Sequence, residues 1–232
     1  MKVKAKLKVM AISDMHHPFV HPHALDFLVA VHKKQKPDVV VCLGDELDAH
    51  ALSDWDHDPD GMSAGDELRA GIKSLRPFYQ AFPDVYVCTS NHTSRPYRQA
   101  HKHGIPKMLL REYRDWLEAP KGWRWADEWI FDDVCYEHGD AGRSALDLAI
   151  AGMRSVVAGH IHTKANIQFY ANAVKTLWGM QCGWMGDGKA YAMKYSSKQK
   201  AKGILATGII NRGMPFIHPL LLNSRGQWTG AM

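Results

Sequence analysis

Asp14 with His16, Asp45 with Asp48, Asn91 with His92, His138, and His160 with His162 form a series with one chemistry. Every one of these side chains can coordinate a cation or move a proton. The last pair lies in "VVAGHIHT" (156–163), where an apolar run meets a glycine and then two imidazoles separated by one residue. A glycine there lets the chain bend sharply, so that both rings can face one centre. D-x-H, N-H or a single histidine is ordinary in any loop. Five such features in succession, each following a short apolar run, are not. The chain also holds 14 histidines in 232 residues, an excess that asks for metal ligands or acid–base groups.

Those apolar runs are the elements that must position the series. "LKVMAISD" (7–14), "PDVVVCLGDELD" (37–48), "PDVYVCTSNH" (83–92) and "SVVAGHIH" (155–162) read as buried strands whose carboxyl ends carry the polar residues. "WIFDDVCYEHGD" (129–140) reads as a hairpin turning at Asp132 and Asp133 and leading to His138. Helices are predicted between strands. In 23–36, Leu25, Leu28, Val29 and His32 share a face; 64–82 is interrupted by Pro77; 142–153 is amphipathic. Beyond residue 162 the pattern is β-structure with glycine turns. Strands alternating with helices imply an α/β (α+β) domain wrapped on both faces, and ligands in open α/β sheets gather beyond the carboxyl ends of strands. One domain over 1–232 is expected, with 94–125 as a helical, basic insertion or cap that interrupts the strand order.

Composition bounds the rest. A hydrophobic content of 46% and a charged content of 23% are those of a globular domain. The net charge of +5 is compatible with a polyanionic partner. Cys42, Cys88, Cys135 and Cys182 are scattered without C-x-x-C spacing, as expected of small buried hydrophobes in a reducing compartment. No stretch approaches the about 18 apolar residues of a membrane span. The lysine-bearing start has too short an apolar run for a secretory signal. A cytoplasmic protein without membrane contact is expected.

The series resembles the signature of the calcineurin-like metallophosphoesterase superfamily, D-x-H, GDxxD, GNH(E/D), H and GHxH. Here it reads "DMH", "GDELD", "SNHT", "EHGD" and "GHIH", from Asp14 to His162. The resemblance implies a β-sandwich flanked by helices, with two divalent metals at one rim. By that likeness Asp14, His16 and His162 hold one metal, Asn91, His138 and His160 hold the other, and Asp45 bridges them. Such ligands suit manganese, with iron, nickel or zinc as alternatives. His92 is then the catalytic group and Asp48 orients it. Two positions depart from the signature: Ser90 replaces its glycine and Thr93 its acid, and neither is a direct ligand in this reading. Phosphoprotein phosphatases continue GDxxD with Arg-Gly, whereas this chain continues with Ala49-His50.

The resemblance fixes the chemistry and leaves the substrate open. In 94–125, Arg95, Arg98, Lys102, Lys107, Arg111, Arg114, Lys121 and Arg124 alternate with Tyr97, Tyr113, Trp116, Trp123 and Trp125. Cations and aromatics suit a phosphate backbone and its bases. The plainer alternative is an amphipathic helix with Leu109, Tyr113, Trp116 and Leu117 turned inward. A basic run, "KYSSKQKAKG" (194–203), follows later. The expectation is a metal-dependent phosphodiesterase or nuclease acting on nucleic acid, with Arg95, Arg98 and His50 as substrate contacts. A phosphomonoesterase or small-nucleotide phosphodiesterase is the alternative. A non-catalytic interaction module is disfavoured by the intact ligand set.

Overall fold

A computed structural model describes residues 6–54, 58, 60–140, 142–196 and 200–231. His57 and residues 197–199 of the basic run lie outside the described residues. Among the described residues, eleven strands form two sheets. In the first, β1 (Lys8–Ile12), β2 (Val39–Cys42), β3 (Val85–Cys88) and β4 (Trp123–Ala126) run parallel, and β10 (Ala206–Asn211) and β11 (Met214–Pro219) extend it antiparallel beyond β1. The second has the order β5 (Glu128–Phe131), β6 (Val134–Glu137), β7 (Ser155–Ala158), β9 (Thr176–Cys182), β8 (Ala165–Ala171), with β6, β7 and β9 parallel.

The strands are apolar on both sides because both sides are covered. Val9, Ala11, Val41, Val157, Met180 and Ile210 meet between the two sheets. Their neighbours Met10, Ile12, Val40, Cys42 and Ile209 point the other way, onto α1 (Ala24–Gln35) and α2 (Ala64–Ala81). On the far side Cys135, Val156 and Ala158 pack on α5 (Ala145–Ala151) through Ala145, Leu148 and Ala149. The result is a β-sandwich flanked by helices, the expected fold. All four cysteines are buried and free, and no helix among the described residues is long and apolar enough to cross a membrane.

Gly179 marks the closest approach of α5 to its sheet. A Cβ there would lie 2.2 Å from the Leu146 nitrogen and 2.3 Å from the Ala145 carbonyl carbon. Backbone cannot yield as a side-chain tip can. Gly179→Ala should therefore destabilise the fold by at least the ~1–3 kcal/mol typical of overpacking, read as a lower melting temperature. An unchanged melting temperature would mean that α5 is not held this tightly.

Three local expectations need correction. The α2 helix is continuous through Pro77. Leu75, Phe78 and Tyr79 are buried on either side of the proline, and their burial offsets the lost hydrogen bond. Pro77 and Lys73, whose carbonyl loses its donor, are both exposed, so water can serve instead. The buried face of α1 is Ala24, Phe27, Leu28 and Val31, one position round from the expected stripe; Leu25, Val29 and His32 sit at its margin. Finally, 94–125 does not interrupt the strand order. Residues 94–122 are the crossover from β3 to its parallel neighbour β4, a connection that parallel pairing requires. It contains α3 (Arg95–Lys102) and the single turn α4 (Tyr113–Trp116). Trp123 to Trp125 belong to β4. Leu117 and Trp123 are core, whereas Leu109 is 70% exposed.

The hairpin turns where expected. Asp132 and Asp133 both hold left-handed backbone, with φ of 51° and 63°, the conformation of a tight two-residue turn matched to strand twist.

Candidate metal centre

Six parallel strands deliver their carboxyl ends to one rim. The loop after β1 carries Asp14 and His16, that after β2 Asp45 and Asp48, and that after β3 Asn91 and His92. From the second sheet, β6 leads to His138, β7 to His160 and His162, and β9 to Trp184. The backbone is held hard here. Asp14, His16, Asp45 and His160 take φ of 50°, 51°, 49° and 67°, left-handed conformations that cost such residues about 1–2 kcal/mol each. Strain of this kind gathers at functional sites, where surrounding structure over-determines it.

The GHxH glycine acts differently from expectation. The sharp turn falls on His160, and Gly159 is needed for space. A Cβ on Gly159 would lie 2.3 Å from Ser13 Oγ and 2.6 Å from Asp14 Oδ2. Bending falls instead to glycines such as Gly44, at φ 95°, and Gly139, at φ 89° beside His138.

Among the groups of ligand atoms that converge in the described residues, two at the rim share Asp45. Asp14, His16, Asp45 and His162 form the first, and Asp45, His138 and His160 the second. In the first, His16 Nε2 lies 3.1 Å from His162 Nε2, and Asp14 Oδ1 lies 3.2 Å from His162 Nε2. In the second, His138 Nε2 is 3.1 Å from His160 Nδ1 and 2.6 Å from Asn91 Oδ1. Asp45 Oδ2 stands between them, 3.7 Å from His16 Nε2 and 3.4 Å from His138 Nε2. The donor set fits divalent cations. His138 Nδ1 donates to the Leu43 carbonyl at 2.8 Å, so its Nε2 turns a lone pair inward, as metal-ligating histidines do. All seven expected ligands are thus brought together.

His92 and Asp48 stand beside this cluster. His92 Nδ1 is 2.8 Å from both the carbonyl and the Oδ1 of Asp48. Both oxygens accept, so Nδ1 carries the proton, and Nε2 faces the centre, 3.9 Å from Asp45 Oδ2. Burial disfavours a charged His92 ring, but Asp45 and Asp48 outweigh it and hold its pKa above the ordinary histidine value. Burial would likewise raise Asp45 and Asp48. The rings of His138, His92 and His16 hold Asp45 well below the carboxylate range, and those of His16 and His92 do the same for Asp48.

The departures Ser90 and Thr93 leave this geometry intact. Ser90 Oγ accepts from the Asp45 amide at 2.9 Å, and His92 keeps its contact with Asp48.

The expected substrate contacts divide. Arg95 reaches the centre, donating to the carbonyls of Asp48 at 2.9 Å and Ala49 at 3.2 Å, with its other terminal nitrogen 3.2 Å from His92 Nε2. Arg98 is exposed and donates to the Asn91 carbonyl at 2.8 Å, from behind. His50 lies two residues beyond Asp48 in the same loop, its ring edge-on to Tyr191 at 5.8 Å. His17 is a core residue: fully buried, bonded to Ser74 Oγ at 2.7 Å, its pKa pushed down to about 3 by burial. Sequence reasoning missed Trp184, which stacks on His162 at 4.8 Å and 17°. Its signal was a tryptophan just past a strand end. Glu46, fully buried between the two aspartates of GDELD, was also missed.

Motif order, ligand geometry and sandwich together resemble the calcineurin-like metallophosphoesterases.

No family profile matches the chain. The gene 54 protein of Mycobacterium phage D29 is 27% identical over 207 residues, covering 76% of this chain and 78% of that protein. Among solved structures, the phosphoesterase Yfce from E. coli superposes with a TM-score of 0.42 at 15% identity, covering 88% of both chains. Vps29 from Chaetomium thermophilum gives 0.45 at 9% identity, covering 96% of this chain and 93% of that one. The chemistry of the rim rests on its own geometry.

Proposed function

We propose that the protein is a metal-dependent hydrolase of phosphoester bonds and that its substrate is nucleic acid, cut as a phosphodiester. One observation carries the hydrolytic reading: Asp45 Oδ2 lies between two groups of ligands that converge from both sheets. Two divalent cations bound there, manganese first among them, would supply Lewis acidity toward phosphate oxygens and acidify a bound water. The chain's own residues supply the rest. Asp14, His16 and His162 hold one side, Asn91, His138 and His160 the other, and Asp45 serves both. His92 presents Nε2 to the same space and, as the imidazolium that Asp45 and Asp48 favour, gives its Nε2 proton to the leaving oxygen, while Asp48 holds the ring through Nδ1. Arg95, beside His92, offers a donor to a phosphate oxygen.

The nucleic-acid reading is supported by a groove of about 660 Å³ that leaves the rim past Asn91, His138 and His160 and meets the crossover at Ser94, Lys107 and Tyr113, with Asp127 and Asp140 also in its lining. Lys107 and Arg111 are exposed and enter no ion pair among the described residues. Lys102 is less suitable as a probe, being bonded to Asp54 at 3.0 Å. With Mn²⁺, the protein should hydrolyse single-stranded DNA or RNA and bis-p-nitrophenyl phosphate in preference to p-nitrophenyl phosphate. Lys107→Glu with Arg111→Glu should weaken oligonucleotide binding and flatten its salt dependence by about 0.7 in log–log slope per lost phosphate contact. Fluorescence anisotropy in a His92→Ala background, which spares the strand, measures both. Unchanged binding in a variant that melts normally would move the substrate to a small phosphoester.

A further inference from the structure

Asp45 holds a strained backbone at φ 49°, and such a residue keeps its place only if its surroundings force it to. A chain of buried hydrogen bonds does so. The Asp45 amide donates to Ser90 Oγ at 2.9 Å. Ser90 Oγ donates to Thr93 Oγ1 at 3.1 Å. Thr93 Oγ1 donates to Glu46 Oε2 at 2.9 Å, and the indole of Trp125 donates to Glu46 Oε1 at 2.9 Å. Ser90 is 6% exposed, and Thr93 and Glu46 are fully buried. Each hydroxyl has one proton to give, so the chain runs in one direction from the Asp45 amide to Glu46 Oε2, while the Trp125 indole donates to the other oxygen. Such chains polarise and strengthen one another.

The chain closes on itself. It starts at Asp45 and ends on Glu46, the next residue, after passing through Ser90 and Thr93. Those two flank Asn91 and His92. The turn that carries Asp45 is thereby tied to the turn that carries Asn91 and His92. Ser90 and Thr93 are the two positions where the sequence departs from the phosphoesterase signature. A glycine at 90 would leave the Asp45 amide without this acceptor, and an apolar residue at 93 would leave the Ser90 hydroxyl without its own.

We infer that Ser90, Thr93 and Glu46 are positioning residues that hold Asp45 in register with Asn91 and His92 for metal binding. The assignment rests on the metal reading above. Thr93→Val keeps the shape and removes the hydroxyl. Mn²⁺ affinity, measured by titration calorimetry on the full chain, should fall about 10–100-fold, the usual cost of losing a partner that orients a ligand. Thr93→Ser should restore it. Tyr79→Phe removes a buried hydroxyl donated to the Leu117 carbonyl at 3.1 Å, away from the rim. It should lower the melting temperature and leave Mn²⁺ affinity alone. Loss of affinity in Thr93→Val with recovery in Thr93→Ser supports the assignment. Unchanged affinity in Thr93→Val, or no recovery in Thr93→Ser, overturns it while leaving the metal reading standing. Failure of the unaltered protein to bind Mn²⁺ overturns the metal reading and this assignment together.

Discussion

Replacing His92 by alanine should slow turnover by about 10²–10⁴-fold, the scale of a lost general acid, and leave bound metal nearly unchanged. Nδ1 of that ring is occupied by Asp48 at 2.8 Å. Its Nε2 approaches Asp45 but stands outside both Asp45-centred groups of ligand atoms. Removing it therefore takes away a proton donor and spares the seven ligands. Asp48→Asn should resemble a milder His92 lesion, because the amide can still accept from Nδ1 at one atom but no longer supports a charged ring. Turnover of bis-p-nitrophenyl phosphate together with elemental analysis separates the roles. If His92→Ala protein loses its metal, His92 is a ligand and the division between catalyst and ligands is wrong. His16, Asp48 and His92 do lie within ligand reach of one another, so the measurement discriminates between two definite arrangements.

Asp45→Asn should lose metal rather than merely slow the reaction. Asp45 Oδ2 stands between both groups, and its charge would oppose the mutual repulsion of cations held there. The amide keeps an oxygen that can accept from the His92 backbone, as Oδ1 now does at 3.1 Å, so the fold should survive. The clearest readout is thermal. At a free Mn²⁺ concentration about 100 times its dissociation constant, binding should stabilise the unaltered protein by about 2.7 kcal/mol. The variant should show little or no such gain at the same concentration. Retention of two equivalents of metal by Asp45→Asn would remove the bridging role.

Much of this was legible in the sequence because buried parallel strands declare themselves. "VVVC" and "SVVA" run apolar without alternation and stop at glycine or a polar residue, so the strand ends and the groups they carry could be placed together. Asp132-Asp133 announced its turn by the tolerance of aspartate for left-handed backbone. Pro77 misled because an isolated proline rule takes no account of the burial of Leu75, Phe78 and Tyr79 around it. The crossover misled in a different way. Trp123, Arg124 and Trp125 look like the aromatic–basic residues before them, and only pairing with β3 makes them strand. Glu46 and Trp125 could not have been joined in advance, since their bond spans 79 positions.

The rim also bears on how the two layers of the sandwich part. Each proposed metal would take ligands from both sheets: Asp14 and His16 against His162 on one side, Asn91 against His138 and His160 on the other. A cation in either position would act as a rivet through the open edge of a two-leaf structure whose leaves otherwise meet mainly through the interdigitated side chains of Val9, Val41, Val157 and Met180. Peeling one leaf from the other would then require breaking coordination before hydrophobic contact. In the loaded protein, amide exchange in β2 and β7 would depend on metal release, which joins the lifetime of the fold to the lifetime of its catalytic centre.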